Sequence, residues 1–136
     1  MQWDGTPNGG FTSAAKPWLA SNPNYKEINA KEEMADPASV YNYYRKMIAL
    51  REHSPALIYG DYKDLDPQNR SVFAYTRTLD KEKYLVVLNF SGQPIAYALP
   101  GGLKAGALAV SNLPATEQNV STLNLKGWEA RVYKLQ

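Results

Sequence analysis

The pattern of apolar and polar residues divides the chain into three segments. Residues 1–35 show almost no hydrophobic periodicity and are rich in Trp, Asn, Gly and Pro. In residues 36–54 apolar side chains recur at helical spacing, and beyond them short apolar runs alternate with turn residues. We therefore predict a loop over 1–35, one helix over 36–54 and a domain of β-strands over 55–136.

The single predicted helix has signals at both ends. Asp36 can accept hydrogen bonds from the free amides of the first turn, and Pro37 fits the first helical position. Pro55 is expected to end the helix, and Arg51 and His53 lie where the negative end of the helix dipole favours cations. Its apolar surface is broad, which is typical of a helix packed on a large body. The apolar positions are Val40, Tyr43, Tyr44, Met47 and Ile48.

The segments after the helix are rich in Val, Tyr, Phe and Leu and recur at intervals of roughly ten residues, as in an antiparallel sandwich or barrel. The run Tyr84–Phe90 is apolar on both faces and is predicted to be a central strand. In the last strand Trp128, Ala130 and Val132 are predicted to point inward, and the residues between them outward. Strands are predicted near 57–65, 70–79, 83–91, 94–99, 105–112, 119–125 and 128–135.

Composition fits a globular domain and argues against several partner classes. The chain is 44% hydrophobic and 21% charged, which suits a packed core rather than a disordered tail. The net charge of +2 without long basic runs gives no reason to expect a nucleic-acid partner. Neither a signal-peptide pattern nor an apolar run of membrane-spanning length occurs, so no membrane partner is expected. The absence of Cys weakly favours a cytoplasmic location.

The opening segment carries a distinctive series of motifs: Met1–Asp4, Gly10–Thr12, Lys16–Trp18 and Asn22–Asn29, in this order. The series resembles the family 13 glycoside hydrolases, the α-amylase superfamily, and within it the oligo-1,6-glucosidase, trehalose-phosphate hydrolase and sucrose isomerase group. The resemblance is strong over about the first two-thirds of the chain. It continues through Ser39–Lys46, Ile48–Arg51, Tyr59–Tyr62, Phe73–Arg77 and Leu85–Phe90.

The resemblance implies that the chain corresponds to the carboxyl-terminal part of a longer enzyme. A TIM barrel alone needs about 250 residues, more than the 136 present. The implied fold is a barrel-edge loop and the last barrel helix, followed by an antiparallel Greek-key β-sandwich. The family's catalytic carboxylates lie upstream, so this segment is expected to support the barrel and to be inactive alone. The implied parent hydrolyses or isomerises short α-glucosides.

Two kinds of partner follow from this interpretation. The first is the missing catalytic barrel, against which the broad apolar helix surface would pack. The second is another copy of the chain, because an uncovered apolar helix face favours self-association.

Gln2, Trp3 and Asp4 are the candidate site residues, since the resemblance places them on a loop at the active-site face of the barrel. Retaining glycosidases need two carboxyl groups roughly 5–5.5 Å apart, so Asp4 alone predicts no catalysis. We favour a second interpretation of Asp4, in which its carboxylate fixes the loop through backbone hydrogen bonds. For Gln2 and Trp3, a role in the wall of a sugar pocket and a role in packing remain equally open.

The remaining chemistry-bearing residues suggest no cofactor. His53 lacks a second metal ligand nearby, and the glycine pairs lack the spacing of a phosphate-binding loop. Three acidic residues near the helix start are interpreted as solvent-exposed side chains that favour the positive end of the helix dipole: Glu27, Glu32 and Glu33. Ten tyrosines and three tryptophans raise an alternative, an independent carbohydrate-binding module with weak oligosaccharide contacts. The aromatic residues expected to be exposed are Trp18, Tyr59 and Tyr62.

Overall fold

A computed structural model describes residues 1–135. The chain divides into two compact units, Met1–Lys46 and Met47–Gln136, with the boundary inside the second helix. Short 3₁₀ turns occupy Pro7–Gly10, Pro23–Lys26 and Pro100–Gly102. The helices are α1 (Ala30–Ala35), α2 (Val40–Glu52) and α3 (Pro55–Tyr59). The strands are β1 (Asp61–Asp64), β2 (Val72–Leu79), β3 (Glu82–Asn89), β4 (Ile95–Ala98), β5 (Ala107–Ser111), β6 (Thr122–Leu125) and β7 (Ala130–Leu135).

The first helix, α1, was not predicted, and Asn29 explains why it forms. The buried Asn29 side chain accepts a hydrogen bond from the Glu32 amide (3.0 Å) and donates one to the Tyr25 carbonyl (2.9 Å). It therefore caps a free amide of the first turn, where Glu32 and Glu33 also suit the positive end of the helix. A one-turn helix leaves no hydrophobic period, so only the cap could have revealed it.

The predicted helix start at Asp36 and Pro37 is wrong. Asp36 ends α1, and its carboxylate accepts from the Ala38 amide (2.9 Å) in a turn. Ser39 then lies directly before α2, and its hydroxyl accepts from the Asn42 amide (3.2 Å). The buried Asn42 side chain donates to the Asp36 carbonyl (2.8 Å) and the Glu33 carbonyl (3.1 Å). These polar bonds delay α2 until Val40.

The predicted end of α2 also differs from the structure. The helix ends at Glu52, with His53 Nδ1 2.8 Å from the Ala49 carbonyl oxygen. Pro55 is the first residue of α3, where its missing amide hydrogen costs nothing. The predicted strand over 57–65 is therefore wrong in its first half, which is helical. Only Asp61–Asp64 is extended.

Within residues 1–135, seven strands form two antiparallel sheets. The larger sheet has the order β1-β2-β3-β7-β5, and the smaller one pairs β4 with β6. β3 pairs with β2 on one side and β7 on the other, so the prediction of a central strand there is confirmed. The predicted mainly β, antiparallel fold is confirmed. In the described part of the chain the larger sheet is open, with β1 and β5 at its edges.

The main core lies where the inner face of the larger sheet meets the smaller sheet. Alternation along β2 and β3 sends every second side chain to this face. The residues contributed by the larger sheet are Val72, Ala74, Leu85, Val87, Tyr133 and Leu135, and those by the smaller sheet and its flanks are Tyr97, Leu99, Leu123 and Leu125. A second, smaller cluster lies on the outer face, around Ala56, Tyr84, Val86 and Val132.

The last strand does not have the predicted faces. Trp128 is 64% exposed and has a left-handed backbone (φ 58°), whereas Glu129 and Arg131 are only 1% and 3% exposed. Arg131 Nε donates to Glu129 Oε1 (2.9 Å), and Nη2 donates to Glu129 Oε2 (2.9 Å). The ion pair allows both charged side chains to be buried. The prediction that polar residues of an alternating strand point outward therefore fails at Glu129 and Arg131.

Two aromatic residues at predicted apolar positions, one on the helix and one in the central run, are exposed. Phe90 is 58% exposed just after the end of β3, and Tyr44 is 64% exposed on α2. Tyr59, Tyr62 and Trp18, which were expected to be exposed, are exposed.

Replacing Glu129 by Ala should lower the free energy of unfolding by about 3 kcal/mol, because the buried Arg131 guanidinium loses the carboxylate that accepts from both Nε and Nη2, although Glu117 stays bound to it. Urea denaturation followed by circular dichroism would measure the change. The control is Lys134→Ala, which breaks the Lys134–Glu82 pair (3.4 Å). That lysine is 57% exposed, so the cost should stay below about 1 kcal/mol. Equal effects of the two substitutions would contradict the assigned role of the buried pair.

Candidate functional site

The backbone around the candidate residues is tied to the start of α1. The Gln2 carbonyl accepts from the Ala30 amide (2.8 Å), and the Trp3 carbonyl accepts from the Lys31 amide (3.1 Å). The Trp3 amide donates to the Gly9 carbonyl (2.8 Å). Three backbone bonds therefore fix two consecutive residues without any help from a sheet.

A left-handed turn returns the chain to these residues. Asn8, Gly9 and Gly10 all have positive φ, at 62°, 62° and 75°. A Cβ on Gly9 would lie 3.0 Å from the Gln2 side chain, and one on Gly10 would lie 3.0 Å from Asp4 Oδ1. Both glycines thus allow the close approach of a candidate side chain. We did not predict this turn from the sequence. The Asn-Gly-Gly sequence was the signal for it, because Asn and Gly readily adopt positive φ in turns.

Asp4 uses its carboxylate to hold its own loop. Asp4 Oδ1 accepts from the Thr6 hydroxyl and from the Thr6 amide (2.9 Å). The Thr6 hydroxyl, followed by the Thr6 amide, holds the pKa of the Asp4 carboxyl below its usual range, and Lys31 adds a weaker attraction. This arrangement matches the backbone-fixing interpretation of Asp4. A role in a pocket wall stays a prediction.

Trp3 is 62% exposed, and its ring meets Phe11 edge to face, with ring centroids 6.5 Å apart. Such a contact orients an indole while leaving one of its faces open. Beside this pair lies a depression of about 610 Å³. Asp4 lines it, whereas the side chains of Gln2 and Trp3 do not. The other lining residues include Thr6, Asn8, Thr12 and Ser13.

The loop holds one carboxylate beside a concave surface of hydroxyl and amide groups. Such groups exchange hydrogen bonds with sugar hydroxyls, but a retaining glycosidase needs a second carboxyl group across the scissile bond. Among residues 1–135, no cluster of three or more His, Cys, Asp or Glu side chains could hold a metal ion. No helix within the same range is long and apolar enough to cross a membrane.

Comparison with known proteins identifies the family. Residues 1–60 match the family "Alpha amylase, catalytic domain", and residues 72–132 match "Alpha-amylase SusG C-terminal domain". The oligo-1,6-glucosidase of Parageobacillus thermoglucosidasius is 42% identical across the whole chain, which covers 25% of that protein. The chain belongs to glycoside hydrolase family 13. The resemblance of its motifs to this family is thereby confirmed.

Solved structures of family 13 proteins agree. An isomaltulose synthase variant from Erwinia rhapontici NX5, in complex with D-glucose, is 51% identical with a TM-score of 0.93 over 99% of this chain and 24% of that one. Trehalulose synthase MutB from Pseudomonas mesoacidophila MX-45 is 44% identical, with a TM-score of 0.92 over 99% and 24%. This family 13 chain spans about a quarter of the length of the relatives it matches.

Replacing Thr6 by Val should raise the pKa of the Asp4 carboxyl towards its usual range, because the hydroxyl bond is the largest cause of the lowering. Since the folded pKa is lowered, the bond stabilises the loop above the ordinary pKa and is lost as the pH falls through the lowered value. A ¹³C NMR titration of the carboxyl group would measure the pKa.

Thr12→Val is the matched control, because the Thr12 hydroxyl accepts from the Ala14 amide (3.1 Å) rather than binding Asp4. The control should leave the pKa of Asp4 unchanged. An unchanged pKa in Thr6→Val itself would contradict the assigned cause.

Proposed function

We propose that this chain supplies the barrel-edge segment and the carboxyl-terminal domain of an α-glucosidase-like enzyme, and that it supports the catalytic barrel without catalysing alone. One observation carries the proposal. The catalytic-domain match ends at residue 60, between the end of α3 at Tyr59 and the start of the antiparallel sheet at Asp61, and the carboxyl-terminal match begins at residue 72, the first residue of β2. The proposed segments are a barrel-edge segment over 1–35, the last barrel helix within 36–54, and a carboxyl-terminal domain within 55–136 whose first strand begins at Asp61.

The proposal extends to the finer architecture of the β domain. We assign it the Greek-key sandwich arrangement, in which a late strand returns to lie beside early ones. Support comes from β7, which lies between β3 and β5 in the larger sheet, and from the core shared by the two sheets. In such a domain the sheets pack face to face.

The substrate class is inferred from the relatives. They include an oligo-1,6-glucosidase, an isomaltulose synthase and a trehalulose synthase. Short α-glucosides are therefore the proposed substrates of the whole enzyme. The proposed reactions of the whole enzyme are hydrolysis or isomerisation of these α-glucosides, as the names of the relatives indicate.

Within that enzyme, Gln2, Trp3 and Asp4 are proposed to form one wall of the sugar pocket. The anchored backbone of Gln2 and Trp3 and the open face of the Trp3 indole support this role. Thr6 occupies Oδ1 of Asp4, and Oδ2 would accept a bond from a sugar hydroxyl.

A chimera tests the proposed function directly. In the oligo-1,6-glucosidase of Parageobacillus thermoglucosidasius, the matching quarter is replaced by this chain. We expect the chimera to fold and to hydrolyse isomaltose, whereas the isolated chain should show no turnover. A folded but inactive chimera, or hydrolysis by the isolated chain, would overturn the proposal.

Two tryptophan variants of the chimera test the pocket wall. Trp3→Ala should lower kcat/KM about tenfold through loss of a sugar contact. Trp128→Ala is the control, because Trp128 has nearly the same exposure (64% against 62%) and lies in the other unit, Met47–Gln136. Equal kcat/KM values for the two variants would contradict the proposal that Trp3 forms part of the wall of the sugar pocket.

The alternative function is an independent carbohydrate-binding module. A flat sugar ring stacks best on coplanar exposed aromatic residues. The clearest aromatic group on the larger sheet is Tyr62, Tyr75 and Phe73, whose neighbouring rings are tilted by 42° and 41°. This tilt makes the surface ridged and disfavours stacking on a sugar.

Amide shifts on titration with maltose or isomaltose would test the binding-module alternative. We expect no specific shifts within Met47–Leu135, because the tilted rings offer no flat platform. Saturable shifts clustered on one sheet face would support the module and count against a purely structural role.

Two partners are proposed, both on the basis of exposed apolar surface. The missing barrel is the first, and self-association through α2 is the second. Val40, Tyr44 and Ile48 of this helix are exposed in the chain. Sedimentation velocity would reveal self-association as a mass above that of the monomer.

A further inference from the structure

Helical residues of the unit Met47–Gln136 pack on part of the outer face of the larger sheet, the face opposite the main core. There Ala56 is fully buried against Tyr84, Val86 and Val132. Polar bonds fix the same contact, since the Ala56 amide donates to Glu82 Oε2 (3.1 Å). The partly buried residues that join this end are Met47, Leu50, Leu57 and Leu79.

The other end of the outer face carries an aromatic row, defined as Tyr62, Tyr75 and Phe73. The ring centroids of Tyr62 and Tyr75 are 5.3 Å apart, and those of Tyr75 and Phe73 are 5.1 Å apart. Tyr62 is 53% exposed and Phe73 is 37% exposed, on neighbouring strands β1 and β2. Contiguous large apolar side chains on a surface commonly mark a place where another surface binds.

The covered end shows what kind of surface this face accepts. Met47, Leu50, Ala56 and Leu57 fall within residues 1–60, which match the catalytic domain. The sheet residues beneath them fall within 72–132, which match the carboxyl-terminal domain. Contact between the two matched domains therefore already exists on this face, and Tyr75 joins the same cluster from the uncovered side.

The length of the relatives indicates what could cover the rest. This chain corresponds to about a quarter of the oligo-1,6-glucosidase and of the isomaltulose synthase. The remaining three-quarters of such a protein has to pack against the segment of the catalytic domain that already lies on the sheet. The aromatic row is continuous with that segment, so it is the nearest surface on which the rest of the catalytic domain could pack.

We propose that the aromatic row is the docking surface for the part of the catalytic domain that lies outside this chain. The inference rests on the proposed function and adds the location of the interface. The tilted rings of the aromatic row form ridges. Apolar side chains of another protein surface can pack between these ridges, as side chains do in protein interiors. Docking removes these rings from water without burying a charge on the rings themselves, because phenylalanine carries no charge and tyrosine is protonated at neutral pH.

Hydroxyl-radical footprinting of the isolated chain and of the chimera, read by mass spectrometry, tests this location. Oxidation of Tyr62 and Phe73 should fall by about threefold or more in the chimera, because interface cores exclude solvent. Trp128 serves as the internal control, since it is 64% exposed and lies outside the aromatic row. Its oxidation should be unchanged.

The outcomes separate this inference from the proposed function. An active chimera in which Tyr62 and Phe73 are oxidised as fast as in the isolated chain would overturn the docking surface alone. An inactive chimera would overturn the proposed function, and the docking surface with it. Protection of the aromatic row in the isolated chain that rises with concentration would assign the face to self-association and overturn the proposal.

Discussion

The buried ion pair between Glu129 and Arg131 is the interaction on which the β domain depends. A guanidinium can enter the interior only if carboxylates and carbonyls satisfy it. Here Glu129 binds it from the same strand end, Glu117 binds it from a loop, and the Asn124 carbonyl binds it from β6 (2.8 Å). One cation therefore joins both sheets and fixes which face of β7 turns inward.

The inward position of Arg131 determines which face of the larger sheet each side chain of β7 occupies. With Arg131 inside, Tyr133 and Leu135 enter the main core, while Val132 turns to the outer face and meets Ala56. A shift of one residue along β7 would exchange these two sets. The outer face that receives the catalytic-domain segment is therefore set by a buried charge rather than by the apolar residues that cover it.

The opening loop is held by a different kind of interaction. It lacks a hydrophobic period, and asparagine side chains supply the order instead. Asn8 donates to the Thr12 and Ala14 carbonyls (3.1 and 2.8 Å), and Asn29 caps α1, whose first amides anchor Gln2 and Trp3. Amide groups suit a loop because one side chain can satisfy backbone donors and acceptors together. The candidate pocket wall thus has a defined backbone within Met1–Lys46.

The sequence by itself determined the family, through motifs such as Met1–Asp4, and the antiparallel β domain with its central strand at Tyr84–Phe90, through hydrophobic pattern. The tertiary structure alone decided the start of α2, where the Asn42 side chain donates to carbonyls of α1 and of the turn that follows it, and the inward face of β7. Pattern rules succeed when burial follows polarity, as it does along β3. They fail at Asn42 and Arg131 because a polar group is buried only when its partners come from elsewhere in the fold, and those partners exist only after folding.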